Sequence, residues 1–172
     1  MGTVMTPDEF EALYRKTAGE LLGYLRRRAI ADADDLAAEV YAIAWRRRAD
    51  LPPEFLRRAW LFGTARKLML SESRRKKREQ EVAELVAWTD LAASSQPDAS
   101  RDQIVAAALG HLRPDDREII QLVEWEGLSP AEVAVALGIR AGTARVRLHR
   151  ARQALAADAG IRRLVHGDAA VV

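Results

Sequence analysis

The sequence predicts an all-α protein made of two small helical domains joined by a flexible linker. Three observations carry that expectation. Alanine, leucine, arginine and glutamate dominate while β-branched runs are scarce, so the periodic segments read as helices. Apolar residues recur at helical spacing in several stretches bounded by proline or glycine. Between the two groups of helices, Ala92-Ala93-Ser94-Ser95-Gln96-Pro97-Asp98 has the small, polar composition of a linker. At 172 residues the chain is long enough for one compact domain or two small ones, and 49% hydrophobic residues suffice for packed cores.

Each element follows from its residues. Phe10, Leu13, Tyr14, Leu21, Tyr24 and Leu25 form one apolar stripe, and Leu36, Val40, Ile43 and Ala44 a second that ends in Trp45, read as a core residue. Leu51-Pro52-Pro53 interrupts the pattern, because proline donates no amide and restrains its predecessor. A third helix is expected from near Glu54 through Phe55, Ala59, Phe62, Ala65 and Leu68 into a basic stretch, and these three helices make a bundle. A short helix around Glu81 to Trp88 is expected before the linker. Beyond it, Ile104, Ala108 and Leu109 mark a fourth helix. Pro114, followed by Asp115 and Asp116 at the positive end of the helix dipole, opens the next. Ile119, Ile120, Leu122 and Val123 are its buried face, and Gly127 ends it. Ser129-Pro130-Ala131-Glu132 matches a capping box, in which serine caps the helix and glutamate returns to the cap amide. Gly138 ends that helix, and a last one runs from about Ala141 to Ala156. The domains are therefore placed at 8–80 and 104–158, with an acidic linker at 81–103.

Charge is segregated along the chain. The 27 basic and 25 acidic residues leave a net of +2. Yet Arg66, Lys67, Arg74, Arg75, Lys76, Lys77 and Arg78 face only Glu72 in their stretch, and Arg140 to Arg152 holds five arginines and no carboxylate. Asp32, Asp34, Asp35 and Glu39 form an acidic segment without a basic residue. Two basic patches and a separate acidic one point to two polyanion contacts and one protein contact. With no cysteine and three scattered histidines, no metal and no cofactor are expected. The three aspartates have no histidine or glycine-rich phosphate loop beside them, so an enzyme is not expected. No apolar run approaches the ~20 residues of a membrane span, and no secretory signal is seen, so a cytoplasmic protein is expected.

Ser129 to Leu155 has the spacing of a helix-turn-helix, whose second helix enters the DNA major groove. Ala144, Leu148, Ala151 and Leu155 fall on one side, able to pack on Val133 and Leu137, while Arg145, His149 and Arg152 share another. Leu128-Ser129-Pro130-Ala131-Glu132-Val133-Ala134, with Gly142-Thr143-Ala144-Arg145-Val146-Arg147-Leu148-His149-Arg150-Ala151-Arg152, resembles region 4 of bacterial sigma factors of the extracytoplasmic-function (ECF) group, in the sigma-70 family. Ala144 and Val146 depart from that pattern's valine and serine; the first softens the core and the second removes a hydroxyl that could meet phosphate. Asp32-Ala33-Asp34-Asp35-Leu36-Ala37-Ala38-Glu39-Val40-Tyr41-Ala42-Ile43-Ala44-Trp45-Arg46 is similar to the family's region 2, as is Ala59-Trp60-Leu61-Phe62-Gly63-Thr64-Ala65-Arg66-Lys67-Leu68. Ala38, Gly63-Thr64 and Lys67 are departures there.

The resemblance implies a protein that binds core RNA polymerase and directs promoter-specific transcription initiation, doing no bond chemistry itself. It implies that Asp32, Asp34, Asp35, Leu36, Glu39 and Val40 meet the clamp helices of the largest subunit. It implies that Arg66, Lys67, Arg74, Arg75 and Lys76 contact the −10 element, with the Arg46 to Glu54 loop as the pocket for a flipped base and Trp60 as a core or stacking residue. Thr143, Arg145, Arg147, His149 and Arg150 would read the −35 element, and Arg117 with Trp125-Glu126 would face the flap of the second-largest subunit. An anti-sigma factor is an expected partner. The alternative is a stand-alone helix-turn-helix transcription regulator, which would bind its operator without polymerase.

Overall fold

A computed structural model describes residues 4–28, 30–84 and 101–167, and among these there are eight helices and no strand. The helices belong to two units, one built on α1–α3 and the other on α4, α5, α7 and α8.

In the first unit, α1 (Pro7–Arg27) opens on a capping box: the Glu9 amide donates to Thr6 Oγ1 at 3.3 Å and the Thr6 amide donates to Glu9 Oε2 at 2.8 Å. Its stripe places Leu21, Tyr24 and Leu25 in the core, against Leu36, Val40 and Ala44 of α2 (Ala33–Arg46) and Ala59, Phe62 and Ala65 of α3 (Glu54–Glu84). Tyr24 and Phe62 meet edge to face at 4.9 Å between centroids. Tyr41 shares a 2.8 Å hydrogen bond with Thr17, and burial pushes its hydroxyl up to a pKa of about 12. Trp45 differs from its expected core position. It is 37% exposed at the edge of an aromatic group, 5.1 Å from Phe10, with the Arg48 guanidinium over its ring. In place of a separate helix starting near Glu81, α3 continues unbroken through the basic run to Glu84. The rest of that expected helix, including Trp88, and residues 85–100 of the linker expected at 81–103 lie outside the described residues, while 81–84 continue α3 and 101–103 begin the fourth helix.

Later in the chain, α4 (Arg101–His111) and α5 (Pro114–Glu124) are followed by α6 (Pro130–Leu137), α7 (Ala141–Ala157) and α8 (Ala159–Gly167), of which α4, α5, α7 and α8 build the second unit. Gly127 and Gly138 both adopt φ +64°, the left-handed conformation that glycine takes without a Cβ penalty. At Gly127 the turn closes with Gly127 N–H donating to Val123 O at 3.1 Å, the 5→1 bond of an αL stop, and Leu128 N–H donates to Leu122 O at 3.0 Å. The capping box at α6 forms as expected, with Ser129 N–H on Glu132 Oε2 at 2.8 Å and Glu132 N–H on Ser129 Oγ at 3.3 Å. The apolar seam of α7 packs on α5. Ala151 and Leu155 join Leu109, Leu112 and Ile120 in one cluster.

Helix α8 was not foreseen. Asp158 starts it: Oδ1 accepts from the Gly160 amide at 2.8 Å and the Ile161 amide at 3.2 Å, while Oδ2 lies 3.1 Å from His111 Nδ1 on α4. The same carboxylate therefore caps α8 and ties it to α4.

Candidate nucleic-acid and polymerase interfaces

Helix α7 sorts its basic residues by what stands behind them. At about 100° per residue, Ala144, Leu148 and Ala151 are buried on one side. On one flank, carboxylates of α5 hold the arginines. Arg150 forks onto Asp116, with Nε to Oδ2 at 2.9 Å and Nη2 to Oδ1 at 2.5 Å, and Asp116 is only 4% exposed. The bidentate contact raises the Arg150 pKa further above its ordinary value. Arg147 Nη1 donates to Asp115 Oδ2 at 3.1 Å, and Arg152 Nη2 donates to Glu124 Oε1 at 2.7 Å. Arg145 and His149 are exposed and make no ion pair among the described residues, and Thr143 is half-buried. So the five residues expected at the −35 element divide. Arg150, half exposed, is tethered to the buried Asp116 and Arg147 to Asp115, whereas Arg145 and His149 make no ion pair among the described residues.

The basic run on α3 divides similarly. Glu72 lies 3.0 Å from Lys76 and 4.0 Å from Arg75, and Arg75 also approaches Glu79 at 3.6 Å. Exposed pairs of this kind are worth little and break readily for a polyanion. Among the described residues Lys67 and Arg74 are exposed without an ion pair, and Arg66 is half-buried. Trp60 is also half-buried, near the start of the same helix. The loop between α2 and α3 runs from Arg47 to Pro53 and begins with the exposed Arg47.

The acidic segment lies at the start of α2, with Asp32, Asp34, Asp35 and Glu39 exposed. Asp32 occupies the cap position without a side-chain cap bond, so these carboxylates are not consumed in capping. Asp34 makes a single 3.5 Å contact with Arg26. Leu36 is 7% and Val40 0% exposed, so both support the acidic face from inside the bundle and Val40 has no surface to offer a partner.

On the second unit, Val105, Leu109, Ile120, Glu124, Trp125 and Leu155 are among the residues that line a mainly apolar cavity of about 280 Å³. Trp125 is 45% exposed at its rim, while Glu126 beside it is buried. Arg117, expected at this surface, is turned inward. Its guanidinium donates to the carbonyls of Leu109 at 2.7 Å, Gly110 at 2.9 Å and Leu112 at 3.3 Å, satisfying the end of α4. The sequence missed this role because the carbonyls at a helix end leave no mark on residue type.

An acid-faced helical bundle with a basic third helix, followed by a separate unit carrying a helix-turn-helix, defines a DNA-reading protein of the transcription machinery. The Sigma-70 region 2 family profile matches residues 10–79 and the Sigma-70, region 4 profile matches residues 102–155. Over 156 residues the chain is 35% identical to the ECF RNA polymerase sigma factor SigL of Mycobacterium tuberculosis, covering 84% of this chain and 85% of that protein. The fold is similar to that of the sigma factor RpoE in complex with the anti-sigma factor NepR from Bartonella quintana (TM-score 0.59, 28% identity, 83% of this chain and 94% of that one). It is also similar to CnrH, a sigma factor of Cupriavidus metallidurans, in complex with the cytosolic domain of CnrY (TM-score 0.61, 26% identity, 95% and 91%). The chain belongs to the ECF sigma factors of the sigma-70 family.

Proposed function

We propose that this protein binds core RNA polymerase in the cytoplasm and directs promoter-specific initiation by reading −10 and −35 elements, acting by binding alone. The observation that carries the reading is the order of its surfaces: an exposed acidic helix start, a basic helix on the same bundle, then a helix-turn-helix with a free outward face. Asp32, Asp34, Asp35 and Glu39 steer a basic surface of the clamp helices, a role in which charge raises the association rate more than the affinity. Leu36 and Val40 hold that helix in place. Lys67 and Arg74, with Arg66, Arg75 and Lys76, track the −10 strand, and Arg145, His149 and Thr143 face the −35 duplex. Region boundaries at 8–80 and 104–158, joined by the linker, separate the two contacts. The apolar cavity rimmed by Trp125 receives the flap, and an anti-sigma factor competes for these surfaces.

Binding of the purified protein to bacterial core polymerase, followed by run-off transcription on genomic promoter fragments, tests this reading. The expected result is stable association and new start sites. Sequence-specific DNA binding by the protein alone, with no core binding, would establish the stand-alone regulator instead.

A further inference from the structure

Val146 is the sixth residue of α7 and is 66% exposed, although it is one of the helix's largest apolar side chains. At about 100° per residue it stands opposite the buried seam of Ala144, Leu148 and Ala151, close to the middle of the outward face. Gly142, one turn before it, presents only backbone. Arg145 and His149 lie on one flank of it, exposed and without an ion pair among the described residues, while on the other flank Arg147 and Arg150 are paired with Asp115 and Asp116. The residue at the centre of the reading face is therefore one that cannot hydrogen-bond.

We infer that Val146 is a specificity-determining residue that contacts the C5-methyl group of a thymine in the −35 element. Residues in the N-terminal part of a recognition helix reach base edges. Among the groups that distinguish the four base pairs in the major groove, the thymine methyl is the one apolar group, and the others are hydrogen-bond donors and acceptors. Valine against those polar edges would strip their water and return no hydrogen bond. Against a methyl it gains apolar burial. Valine is also nearly confined to one χ1 rotamer in a helix, so little freedom is lost on contact. Arg145 and His149 supply the donors for the neighbouring base edges or phosphates, which fixes the register of the methyl contact. This inference rests on the −35 reading proposed above.

The test uses holoenzyme assembled from this protein and bacterial core polymerase. A −35 element is first selected from promoter fragments randomised in that segment. Each thymine in it is then replaced by deoxyuridine, which removes the methyl and leaves the pairing edge unchanged. Wild-type holoenzyme is expected to lose about fourfold in affinity at one position, the effect of a single buried methyl group. Holoenzyme carrying Val146→Ser should bind the thymine promoter about fourfold more weakly and show no further loss with deoxyuridine. Because Val146 is exposed and outside the packing, the substitution leaves folding intact, which melting of the free variant checks. A selected element without thymine would overturn the inference. So would one in which every deoxyuridine is silent while Arg145→Ala still weakens binding, and in that case the −35 reading stands. If deoxyuridine, Val146→Ser and Arg145→Ala are all silent, and randomising the −35 segment changes nothing, both the inference and the −35 reading fail.

Discussion

Asp116 shows how one residue sets what another is able to do. Sequence spacing groups Arg145, Arg147, His149 and Arg150 as equivalent cations on one basic helix, and nothing in the residue types separates them. The separation comes from α5, thirty-odd positions earlier in the chain, whose carboxylates meet α7 side by side. Asp116→Ala leaves the Arg150 guanidinium without the partner that fixes it against α5. The expected result is a melting midpoint lower by about 5 °C, since Asp116 is buried while its partner Arg150 stays half exposed to solvent. Amide exchange should rise in α5 and α7 together, and Asp116→Asn, which keeps an acceptor, should lose less. Unchanged exchange in α7 would return Arg150 to the set of free DNA contacts. Val40 makes the same point in the first unit: it lies within a motif that resembles a docking surface, yet it is fully buried.

At the scale of elements, the helices announced themselves wherever periodicity and caps coincide. The capping box at Ser129 and the glycine stops at 127 and 138 were legible because each rests on a local backbone requirement that few residue types meet. Helix α8 was not legible. Its stretch of nine residues, AGIRRLVHG, is short, begins with Ala-Gly, and takes its stability from Asp158 and from packing on α4. That dependence gives it a pH signature. The Asp158 carboxyl is held below its ordinary value of 3.8, chiefly by the hydrogen bond to His111 and then by the Ile161 amide. A carboxyl with a depressed folded-state pKa stabilises the fold fully above the ordinary range and ceases to do so as pH falls through the depressed value. Protection of the α8 amides, taken relative to their intrinsic exchange at each pH, should therefore be flat near neutral pH and fall steeply below about pH 4. In Asp158→Asn the step should disappear.

At the scale of the whole molecule, two DNA contacts on separate units imply a binding constant that is strongly salt-dependent, with contributions that can be separated. Lys67→Ala and Arg74→Ala should each lower the slope of log K against log salt by about 1, without altering which promoters are preferred. An unchanged slope in both variants would remove α3 from the list of phosphate contacts. Substitutions on the outward face of α7 should do the reverse and change the preference. Behind that difference lies a division of labour within one seventeen-residue helix. Its apolar seam and its tethered arginines carry the folding; its outward face carries none. Gly142, Val146 and His149 can therefore vary almost independently of stability, so this helix is a favourable starting point for building sigma factors that ignore one another's promoters. A library confined to those three positions would explore recognition while leaving the fold nearly untouched.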